Sequence, residues 1–96
     1  MEFTRRYNAV WFENRKAYDR IQKLIGEDEF PGTYNDWLMA AEQQIAQLPS
    51  RKIMIDPRAF EAYCRNKGVK PVEKLLSEFA AYLIALEMRA QEHHQH

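Results

Sequence analysis

"SRKIMIDPRAF", residues 50 to 60, decides how this chain is read. Lys52, Ile53, Met54 and Ile55 alternate and then meet Asp56-Pro57, whereas the sequence on either side follows a helical period. A strand over about 51–55 leaves half of its backbone N–H and C=O groups without partners unless something pairs with it. Three partners are open at this point. The first is the same strand of a second copy, the second is the edge of another protein, and the third is residues 2 to 7, "EFTRRY", where Phe3 and Tyr7 have the short apolar alternation of a strand.

Outward from that stretch, apolar spacing near 3.6 predicts four helices. Val10, Trp11, Asn14, Ala17, Tyr18, Ile21, Leu24 and Ile25 place helix one at about 8–25, with Gly26 to end it. Thr33 caps helix two with Asp36 three residues later, and Tyr34, Trp37, Leu38, Ala41, Ile45 and Leu48 form its apolar stripe as far as Pro49. Asp56 as cap and Pro57 in the first turn start helix three, whose buried side is Ala59, Phe60, Tyr63 and Cys64 and whose stop is Gly68. Helix four runs from Pro71 to about residue 90, and the polar end "QEHHQH" is expected to fray. The expected fold is therefore mainly α, a single domain over 1–96 with helices at about 8–25, 33–48, 57–67 and 71–90 and one short strand between the second and third. Helix four is apolar over more than half its circumference, which asks for more than one neighbour, from this chain or from a second subunit.

Composition removes several function classes. Fourteen Lys and Arg balance 14 Asp and Glu, so the chain as a whole offers no charge argument for nucleic acid or for an anionic membrane. The single cysteine, Cys64, excludes an internal disulfide and fits a reducing compartment; with no secretion signal in "MEFTRRYNAVWF" and no long apolar run, a cytoplasmic, non-membrane protein is expected. The three glycines stand apart, so no phosphate-cradling loop forms. His93, His94 and His96 crowd the last four residues, where no further groups orient them on a metal. Cys64 sits among apolar residues as an inert thiol. With no nucleophile–base pair, no carboxylate pair and no metal cluster, neither catalysis nor a cofactor is expected.

The order of strand, Pro-started short helix, Gly turn and longer amphipathic helix in "RKIMIDPRAFEAYCRNKGVKPVEKLLSEFAAYL" resembles the ribbon-helix-helix family of small DNA-binding dimers. The resemblance covers about residues 50–83. It implies a homodimer in which the strand pairs antiparallel with its symmetry mate, with Ile53, Ile55, Leu75, Leu76, Phe79 and Leu83 in the dimer core. It further implies that Ser50, Lys52 and Met54 face the major groove of double-stranded DNA and that the Val69-Lys70-Pro71 segment holds a phosphate. Lys70 also stands beside a helix start open to an anion. Two functions are thus expected: a non-enzymatic protein-interaction or structural module, and, as the alternative, a dimeric DNA-binding regulator.

Overall fold

A computed structural model describes residues 7–94, without the side chains of 92–94. Its elements in chain order are β1 (Tyr7–Trp11), α1 (Arg15–Ile25), α2 (Tyr34–Gln47), β2 (Ser50–Met54), α3 (Pro57–Lys67) and α4 (Glu73–His94). The strand between the second and third helices is present, and it has a partner within its own chain. β1 pairs with β2 in parallel, in the register Tyr7 to Ser50 through Trp11 to Met54, and the Ile55 N–H continues the ladder by donating to the Trp11 carbonyl at 2.9 Å.

This corrects the reading of helix one. Residues 7–11 are extended, and α1 starts at Arg15 because Asn14 is its cap: the Asn14 Oδ1 accepts the Ala17 N–H at 2.9 Å. Of the candidate partner segment 2–7, residues 2–6 lie outside the described residues; the strand that is seen begins at Tyr7. The other helix ends follow their local chemistry. Thr33 caps α2 through the Asp36 N–H, and Asp56 with Pro57 starts α3. Gly68 ends α3 at φ 70, where its N–H reaches the last carbonyls of the helix. A side chain at this left-handed position costs free energy, so Gly68→Ala is expected to lower stability by about 1 kcal/mol in a chemical denaturation titration. An unchanged midpoint would contradict the strain. α4 begins two residues later than expected and runs past residue 90 to His94.

Strand periodicity sorts the sheet into two faces. Val10, Ile53, Phe12 and Ile55 continue one face into the core, where Tyr18, Ile21 and Ile25 of α1, Phe30 of the following loop, Phe60 and Cys64 of α3, and Leu75, Leu76, Phe79 and Ala80 of α4 meet them. The loop after α1 is held by Gln22, whose Nε2 donates to the Phe30 and Gly32 carbonyls, each at 2.8 Å. Tyr7, Ala9, Trp11, Ser50, Lys52 and Met54 form the other face, and no helix covers it fully: Tyr7 is 39% and Met54 48% exposed. Trp37 of α2 reaches round the outer side of β1 to touch Trp11 at 5.1 Å and Phe12 at 4.8 Å between ring centroids.

Candidate functional site

The side chains expected at a dimer core are used within this chain. Ile53, Ile55, Leu75, Leu76 and Phe79 are buried in its own core, and Leu83 packs half-buried against it. The reason is that residues of α1, α3 and α4 of the same chain cover the inner face of β2, while β1 pairs with one of its edges. Ser50, Lys52 and Met54 do share one face and point away from the core, as the alternation requires. Lys52 Nζ, however, lies 4.3 Å from the centroid of the Trp11 ring and is spent on a cation–π contact. Lys70 is exposed in the connection between α3 and α4. The helix start it was expected to serve carries Glu73 in its first turn, so a carboxylate already complements the positive end of α4.

Cys64 is 1% exposed, and burial pushes its thiol above the ordinary range, against a smaller lowering by Lys67. It is protonated and enclosed near neutral pH, the condition of an inert cysteine. Among the described residues no three His, Cys, Asp or Glu side chains converge on a metal position. The side chains of His93, His94 and His96 lie outside the described residues.

Two concave regions stand out among the described residues. One, about 480 Å³, lies between the starts of α1 and α3. Its cations Lys16, Arg20, Lys23 and Arg58 are interleaved with Glu13, Asp19 and Asp56, and both helix starts are already capped by Asn14 and Asp56. It selects neither sign of charge.

The other, about 540 Å³, is lined by every residue of β1 but only Ser50 of β2, and so follows the outer side of β1. Its far walls are Trp37, Ala41, Gln44, Ile45, Gln47 and Leu48 at α2 and its end, and Ser77 of α4. None of the lining residues is charged, in a chain that is 29% charged overall. The groove also accounts for the apolar stripe of α2, no residue of which is buried. Tyr34 and Trp37 anchor the helix in an aromatic cluster with Tyr18, while Ala41 and Ile45 are half-buried and Leu48 is 48% exposed along the groove. Because β1 and β2 make a two-stranded sheet, the outer edge of β1 has no strand beside it among the described residues.

Comparison with protein families, with curated proteins and with solved structures finds no match to this chain. No helix among the described residues is long and apolar enough to cross a membrane.

Proposed function

We propose that this chain is a non-enzymatic protein-interaction module that takes an extended, uncharged segment of a partner protein into the groove along β1. The observation that carries this reading is the uncharged lining beside a strand edge that has no neighbouring strand among the described residues. An added strand hydrogen-bonds its backbone to β1, and its alternate side chains lie on Ala41, Ile45 and Leu48. A parallel sheet usually has both faces covered and more than two strands, and the bound segment supplies part of what is missing here. The groove has no cation or anion to hold a charged peptide, so charge on the segment is selected against by desolvation.

A capped hexapeptide of alternating valine and threonine, titrated into isotope-labelled protein, is expected to shift the amides of Tyr7–Trp11 and the Trp37 indole. Ile45→Glu introduces a charge on a half-buried wall and should remove those shifts while leaving the fold intact. Shifts that are absent, or that survive this substitution, contradict the reading.

A second reading, double-stranded DNA binding of the ribbon-helix-helix kind, draws support from Ser50, Lys52 and Met54 standing together on the outer sheet face and from the second edge of β2, which has no strand beside it among the described residues. Its mark is duplex affinity that falls steeply with added salt and drops on Lys52→Ala. No duplex binding at low salt removes it.

A further inference from the structure

The second half of α4 carries a surface that the groove does not use. Every residue from Ala85 to Gln91 is exposed, and the Arg51–Glu87 ion pair at 2.6 Å ties this stretch to the sheet. A helical end of this length has little stability of its own in water. The exposed side nevertheless carries Tyr82 at 45% and Leu86 at 41% exposure.

Glu78, Tyr82, Ala85 and Arg89 follow a 4-3-4 spacing, so they lie on one seam of α4, and all four are exposed. The seam is its own complement when reversed. If a second α4 is laid antiparallel with the two-fold axis between residues 83 and 84, Glu78 falls opposite the partner's Arg89 and Tyr82 opposite the partner's Ala85. The same operation sets Ala81, on one flank, against the partner's Leu86, on the other. Each contact is thus either opposite in charge or a large side chain on a small one, and each occurs twice. Neither Glu78 nor Arg89 makes an ion pair with another described residue. The formal net charge of +0 sets no overall repulsion against self-association.

We infer that two copies of this chain pair through antiparallel α4 helices along the seam Glu78, Tyr82, Ala85 and Arg89. The interface is isologous and closed, so association stops at the dimer. None of the four seam residues lines the β1 groove, whose nearest wall on α4 is Ser77.

Sedimentation equilibrium of the full chain tests this. The wild-type chain is expected to show a reversible monomer–dimer equilibrium, and Glu78→Arg or Arg89→Glu alone should each weaken it tenfold or more, because each sets like charges together at both ends. The double substitution restores the pairing with the signs exchanged and should recover the wild-type constant. Both side chains are exposed, so thermal unfolding of the diluted variants should match that of the diluted parent. A monomer at millimolar concentration overturns the inference, as does a double variant that associates no better than the singles. The Val-Thr peptide titration gives the same shifts in Arg89→Glu as in the parent if the groove reading holds, so failure of either proposal is read separately.

Discussion

Phe12→Ala is expected to destabilise the chain by about 3 to 5 kcal/mol, the usual cost of truncating a fully enclosed phenylalanine. Phe12 is 1% exposed and follows β1 directly. Its ring meets Tyr18 at 5.6 Å, Phe30 at 6.1 Å and Trp37 at 4.8 Å, all edge-on, so one side chain ties the end of β1 to α1, to the loop after it and to α2. Removing it leaves a void at the meeting point of those elements. Total stability for a domain of this size is about 5 to 15 kcal/mol, so the loss takes a large share and should lower the melting temperature by about 15 °C or more. Urea titration followed by tryptophan fluorescence checks it, and a loss below about 1 kcal/mol would show that the aromatic cluster does not hold these elements together.

A larger effect is expected at β2. Ile53 is 6% exposed on the inner face of the sheet, and among the described residues no buried polar or charged side chain is available to partner a carboxylate there. Ile53→Asp should therefore abolish cooperative unfolding, since the choice is between an unpaired buried charge and an open core. The adjacent Lys52 faces the other way, so Lys52→Ala should cost less than about 1 kcal/mol, the cation–π contact with Trp11. Calorimetric traces of the two variants decide the matter. If both substitutions behaved alike, the assignment of faces in β2 would be wrong.

Most of the helical architecture was legible because its signals are local. Thr33, Asp56-Pro57 and Gly68 each act within one turn, and they mark where α2 and α3 start and where α3 stops. β1 was not legible in the same way. Residues 8–12 place Val10, Trp11 and Phe12 together, a run that suits a helix face as well as a strand end, and Asn14 was counted within a stripe when it is the cap that starts α1. The tyrosine, valine and tryptophan of "YNAVW" were the available strand signal. What pairs with β2 is a long-range fact, which no local pattern carries. The groove was hidden for a related reason: periodicity identifies the apolar side of α2 but cannot tell a core from an open wall, and Ala41, Ile45 and Leu48 border the latter.

The parallel pairing of β1 with β2 also bears on how the chain reaches this state. The paired residues are about forty positions apart, and no hairpin can bring them together. α3 and α4, by contrast, are joined by a short connection and meet through Phe60, Tyr63, Phe79 and Tyr82. Loop-closure entropy favours the near contact, so the α3–α4 pair is expected to form early and the sheet to close late. Until β1 arrives, Ile53 and Ile55 stand on an unpaired apolar strand. A full-length chain refolding from the unfolded state carries this segment exposed until β1 pairs with it, and the interval before sheet closure is when it is most open to association with other chains.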